Sequence, residues 1–301
     1  MQMGDDKMKD TLKDVCATFL SIVLFFCIVG LSSILVFQNL ITKENIKQMV
    51  KNTDFTSDVK NRAETKQMED IFSDIYIVAD KYHIPEQFID NVFNDEITKE
   101  FLGTVAANVI DETLTGHDEK VLTAEDLNEL LGNNMEHFQE VSNIQLTEQQ
   151  EENFLNLVNE HSTTIIEILP TTTELQTYIN PDMVEGLKIL NSSAILYSFI
   201  GVIIISSILI IQLKWKEKTW LLYFATPLLF AGITLMMLAY AAPTILSIVL
   251  QSSNDIFYLF VDQLAITLKE HFITLSVCFV ITSILIYIIH FIQKKIFQRK
   301  K

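Results

Sequence analysis

Six histidines, three cysteines and a surplus of carboxylates are the side chains of this 301-residue chain best suited to chemistry. Glu136-His137 and Glu160-His161 each put a carboxylate beside an imidazole. Neither belongs to an H-E-x-x-H repeat, the spacing that sets two zinc ligands on one helix face. His161 falls on an apolar stripe with Phe154, Leu157 and Val158, which predicts a buried, hydrogen-bonded ring. No G-x-S-x-G elbow, Walker loop or paired-cysteine site occurs, so no catalytic residue is assigned and no cofactor is expected.

Asp111, Gly116 and Glu119 fall on the first, sixth and ninth positions of a calcium-loop pattern. Its last position, which needs a bidentate acid, is Leu122. Asp111, Asp118 and Glu119 are therefore candidate ligands for a divalent cation, against the alternative of a plain helix-ending turn at Thr115-Gly116. Within the apolar parts of the chain His290 is the one ionisable group at depth, and ion-coupled carriers need such groups. Pro227, Gly232 and Pro243 are candidate breaks in a membrane helix, serving either transport or packing.

The elements that must position these groups are set by four uncharged apolar runs, Val15–Phe37, Ala194–Leu213, Trp220–Ala242 and Phe272–Ile292. Each is long enough, at about 1.5 Å of rise per residue, to cross a hydrocarbon core of about 30 Å. The first is longer than a signal-peptide core and ends at Val36-Phe37-Gln38-Asn39 without a cleavage pattern, so it is expected to stay as an anchor. All three cysteines, Cys16, Cys27 and Cys278, lie inside these runs, and no disulfide framework is available to the polar part.

Basic residues in short connections resist translocation. Residues 1–14 carry Lys7, Lys9 and Lys13, the loop 214–219 carries Lys214, Lys216 and Lys218, and the tail 293–301 carries five basic residues. These segments are expected in the cytoplasm. Residues 42–193 and the connection 243–271 are then expected outside. Lysine outnumbers arginine 20 to 2 and Asn and Ile are abundant, a composition that looks like an AT-rich bacterial genome, so the membrane is expected to be a bacterial plasma membrane.

Residues 42–193 hold 30 acidic against 10 basic side chains, a formal charge of −20. Such a surface repels nucleic acid and anionic lipid and attracts cations and basic peptides. Its apolar periodicity predicts helices. From Leu40 to Met49 the chain has no glycine or proline to stop the first membrane helix. Ile75, Val78, Ala79 and Tyr82 share one face; Pro85 restarts the chain; and Ile89, Val92, Phe93, Ile97, Val105 and Val109 mark a second helix ending at Gly116. Thr123 and Thr147 are N-caps, the latter closing a capping box with Gln150. The stripe Leu127, Leu130, Leu131 and Phe138 predicts one helix, the stripe from Phe154 a further one ended by Pro170, and Pro181–Leu213 a single helix entering the bilayer. Phe257, Phe260, Val261, Leu264 and Leu268 predict an amphipathic helix lying at the surface or packed beneath the outer domain.

The plan of an anchor, a helical outer domain and three further crossings around Lys214-Trp215-Lys216-Glu217-Lys218-Thr219-Trp220 resembles four-span membrane proteins of Gram-positive bacteria. That resemblance covers nearly the whole chain and brings no activity with it. The layout is also similar to claudins, but their outer cysteine pair is missing here. The expected fold is therefore all-α, with four transmembrane helices and an extracytoplasmic helical domain between the first and second. The leading functional expectation is a non-enzymatic envelope protein that binds a protein or peptide partner and belongs to a larger complex; a transporter or channel subunit is the alternative, and a membrane-bound enzyme the third.

Overall fold

The computed structural model describes residues 2–54, 56, 71–115, 123–166, 181–216, 219–249 and 257–298. All regular structure among them is helical. Four helices are long and apolar enough to cross a membrane. The described elements are α1 (Gln2–Leu40), α2 (Lys43–Lys51), α3 (Ile71–Lys81), α4 (Glu86–Asn94), α5 (Glu96–Thr115) and α6 (Ala124–Asn133). They continue with α7 (Met135–Ser142), α8 (Glu148–Ile166), α9 (Pro181–Leu190), α10 (Ser193–Lys214), α11 (Leu222–Val249) and α12 (Phe257–Gln298).

The chain forms two compact units. Unit 1 takes residues up to Asn39, then Ile189–Ile245 and Ile266–Lys301, so it holds the four apolar spans. Much of its outer surface is apolar and exposed, including Phe19, Phe26, Tyr197, Ile205, Met237 and Phe291. That is the surface a lipid-facing bundle presents, since hydrocarbon imposes no cost on exposed apolar groups.

Inside unit 1 the helices meet through small and hydroxyl side chains. Ser276 donates to the Gly232 carbonyl at 2.7 Å, and Ser283 donates to the Ala225 carbonyl at 2.7 Å. The two pairs are seven residues apart on each antiparallel helix, so they repeat on one seam. A Cβ at Gly232 would come within 2.8 Å of Val280 Cγ2 and 3.0 Å of the Ser276 carbonyl oxygen. Gly30 likewise makes room for the Phe199 ring, which a Cβ there would meet at 2.7 Å.

Unit 2 comprises Leu40–Lys188, with Leu246–Ala265 grouped with it. Its main core joins Ile75, Ala79, Phe88, Val92, Leu127 and Phe154, among others. Phe88 and Phe154 meet edge to face at 5.2 Å between ring centres. A second cluster packs Ile46 and Val50 of α2 on Leu102, Val105 and Ala106 of α5. Gly103 permits this approach, because a Cβ there would stand 3.1 Å from Lys47 Cα.

Five boundaries differ from the sequence expectation. The first helix stops at Leu40, and Thr42 caps a new one by accepting from the Asn45 N–H at 3.4 Å. The expected helix through Ile89 and Val109 divides at Asp95, whose Oδ1 accepts from the Ile97 N–H at 2.9 Å. The stripe from Leu127 to Phe138 divides at Asn134, whose side chain donates to the Leu130 carbonyl at 2.7 Å. The expected single helix 181–213 divides at Ser192, which caps α10 through the Ala194 N–H at 3.3 Å. At Thr42, Asp95 and Ser192 a short polar side chain accepts from a backbone N–H of the new helix's first turn, whereas Asn134 adds its side-chain amide to the Leu130 carbonyl that its own N–H also reaches at 3.2 Å.

The fifth difference is a merger. The amphipathic stretch from Phe257 continues into the last apolar run as one helix of 42 residues, so it is not a separate surface helix. Thr123 caps α6 in a full capping box with Asp126, beside the Thr147–Gln150 pair read from the sequence. The proposed stops at Gly116 and Pro170 lie outside the described residues.

The seam between α11 and α12 leaves no space for a side chain at Gly232, whereas Gly201 has nothing within 4 Å of its Cβ position. Gly232→Val should cost about 1–3 kcal/mol, and Gly201→Val should leave stability nearly unchanged. Denaturation of both variants in mixed detergent micelles checks this pair.

Candidate functional site

On unit 2, α5 presents Ile97, Glu100, Phe101 and Thr104 at helical spacing on one face, and α6 supplies Leu130 opposite them; together they line a groove of about 260 Å³. Its origin is topological. The other face of α5 is taken by α2 through Leu102, Val105 and Ala106, so Ile97 and Phe101 turn toward α6 and stay half-buried. Leu127 and Leu131 of α6 are consumed by the core, leaving Leu130 at the rim. The groove therefore has an apolar floor and room for one large side chain.

Its edge is charged. Lys51 Nζ lies 3.0 Å from Glu96 Oε1 and 3.7 Å from Glu100 Oε2. Both carboxylates stay open to solvent, with side chains 79% and 57% exposed. The hydrogen bond to Glu96, with smaller help from Glu100, holds the Lys51 ammonium above the ordinary lysine range.

Besides the hydroxyl contacts along its seam, unit 1 has polar clusters at two ends of the spans. At one end Lys214 is 1% exposed and paired with Asp14, and its ammonium lies 5.9 Å from the centre of the Tyr223 ring. Tyr223 also donates its hydroxyl to Asp14 Oδ1 at 3.4 Å. Three helices thus converge on one buried cation. At the other end Asn39 Nδ2 and His271 Nε2 are 2.9 Å apart, and Gln38 donates to the Leu190 carbonyl at 3.0 Å.

The residues singled out by sequence are scattered. Asp111 sits within α5 and is paired with Lys43 at 3.2 Å. Asp118 and Glu119, its proposed companions, lie outside the described residues, and among the described residues no group of three metal-binding side chains occurs. His137 pairs with Asp95 at 3.2 Å. His161 is half-exposed, so the expected burial is corrected: the core stripe closes at Leu157 and Val158, one turn earlier. His290 Nδ1 is buried without a hydrogen-bond partner.

Pro227, Gly232 and Pro243 all lie within α11, whose helix continues through them. Pro227 has no N–H for the Tyr223 carbonyl, and Ser21 of α1 donates to that oxygen at 3.0 Å instead. Gly232 provides close approach to α12, as described above.

Two features escaped sequence reasoning. Asp14 and Lys214 directly flank the apolar runs Val15–Phe37 and Ala194–Leu213; the sequence reading gives Lys214 an orientation role alone and Asp14 none. Ends of spans that bear opposite charge were the available signal. The groove was hidden because Glu100 interrupts the apolar spacing of Ile97, Phe101 and Thr104.

Removing Asp14 takes the ion-pair partner away from a nearly fully buried ammonium, the costly half of breaking such a pair. Asp14→Ala should lower the melting temperature more than Lys214→Met, and the double variant should recover part of the loss. Additive losses across the three variants would show the pair to be uncoupled. For Lys51 the raised value means that its stabilising contribution is complete below the unfolded lysine value and disappears as pH climbs through the folded one. A melting-temperature gap between the wild type and Lys51→Gln should therefore be present at neutral pH and close in strongly alkaline buffer.

Comparison of the chain with protein-family models, with curated proteins and with solved structures returns no match.

Proposed function

We propose that this chain is a non-enzymatic, multi-pass protein of a bacterial plasma membrane, with both termini in the cytoplasm, whose helical unit stands outside the cell and docks a protein or peptide partner as part of an envelope complex. The observation that carries this reading is the groove of Ile97, Phe101 and Leu130 with Glu100 on its lip, set in a segment of formal charge −20. An apolar slot of one-side-chain size suits a single anchoring residue, and helices are commonly recognised in this way. The acidic surroundings favour a partner with lysine or arginine flanking that anchor and speed its encounter. Orientation follows from the basic residues of 1–14, 214–219 and 293–301, which resist translocation.

The partner reading is tested with a photoreactive phenylalanine analogue in place of Thr104, irradiated in native membranes. One discrete protein adduct is expected, weakened by salt and reduced at least about tenfold by Phe101→Asp. An adduct pattern indifferent to Phe101→Asp would sink the groove as the docking site. The orientation is checked separately: protease added to intact protoplasts should cut within 42–193, and protection of that segment until lysis would reverse the topology.

A further inference from the structure

Between α1 and α12 unit 1 holds an open cavity of about 560 Å³. Its lining is sorted by depth. Asn39, Glu270 and His271 lie just beyond the ends of the uncharged runs, whereas Leu35, Val36 and Leu275 lie within them. Leu275 is five residues further along α12 than Glu270, which at helical rise is about 7–8 Å. Over such a distance a bilayer passes from headgroups to acyl chains.

The polar rim carries one carboxylate, Glu270. His271 Nδ1 faces the Thr267 carbonyl at 2.9 Å and must donate to it, so Nε2 accepts from the Asn39 amide at 2.9 Å. The imidazole and the amide thus satisfy each other. The neighbouring cation, Lys269, is drawn to the face of Tyr240, 5.2 Å from the ring centre. Among the described residues no basic side chain pairs with the Glu270 carboxylate. A carboxylate above an apolar trough, at the level of lipid headgroups, demands a cation that comes attached to a hydrocarbon tail.

We infer that this cavity binds a phospholipid with a primary ammonium headgroup, its ammonium on Glu270 and one acyl chain along Leu35, Val36 and Leu275. An anionic headgroup would be repelled by the carboxylate. A choline headgroup is bulkier and has no N–H to donate. The site is independent of partner docking on unit 2.

The full chain in nanodiscs of phosphatidylethanolamine, phosphatidylcholine or phosphatidylglycerol, each diluted in the same neutral carrier lipid, tests this, with bound lipid counted by native mass spectrometry. Phosphatidylethanolamine should be retained over the other two, and Glu270→Gln should cut its occupancy about fivefold, the worth of a partly screened ion pair. Leu275→Trp, which fills the trough, should displace the lipid while leaving Glu270 in place. Equal retention of the three lipids, or phosphatidylethanolamine occupancy unchanged in either variant, overturns the inference.

Discussion

Hydrocarbon offers no hydrogen bonds, so any polar group entering a bilayer must bring its own partner. Unit 1 is arranged around that constraint. Pro227 deprives the Tyr223 carbonyl of its helical amide, and Ser21 on a neighbouring helix replaces it. Ser276 and Ser283 reach across to carbonyls of α11 rather than remain unsatisfied. Thr226 and Tyr287 join their hydroxyls at 2.9 Å along the same pair of helices. Between helices in lipid there is no hydrophobic drive to associate, because tails are as apolar as leucine. Close packing at Gly30 and Gly232 and these hydroxyl contacts therefore carry the association.

In water the same accounting permits a different chain. A helix in unit 2 can end wherever a side chain caps it, and short helices then stack at angles that a continuous one could not adopt. Asp95 and Asn134 make such ends, and His83 and Asn143 turn corners in the left-handed region, at φ of 57° and 54°. Gln139 holds the second corner by donating to Glu151 and accepting from the Leu146 N–H. Gln150 holds the first by donating to the His83 carbonyl at 2.7 Å. These breaks let α5 serve two neighbours at once, α2 on one face and α6 on the other. The groove is the remainder of that divided allegiance.

Legibility followed the same line. The four spans could be read because uncharged runs of their length have few alternatives, and the core of unit 2 because Ile75 and Ala79, Ile89, Val92 and Phe93, and Phe154, Leu157 and Val158 keep helical spacing. The helix ends at Asp95, Asn134 and Ser192 were not legible. Each depends on a side chain choosing a backbone group over solvent, and the same residue types occur inside helices without that consequence. Thr123 and Thr147 were legible because a second residue three positions on completes a reciprocal pair. Pro227 and Gly232 were visible as irregularities, but their meaning lay on other helices, in Ser21 and Val280. The joining of Asp14 to Lys214 spans 200 residues and has no local trace.

The two solvents also divide the specificity. Unit 1 presents a broadly apolar surface, and its charged side chains, Lys214 and Glu270 among them, stand at the ends of the uncharged runs. Unit 2 has charge over most of its surface, and solvated charge discriminates weakly because salt screens it. Specific recognition needs a place where water leaves, and the floor formed by Ile97, Phe101 and Leu130 is such a place. In the proposed docking role, the acidic surface would draw a partner at long range and this floor would select at short range for an apolar residue.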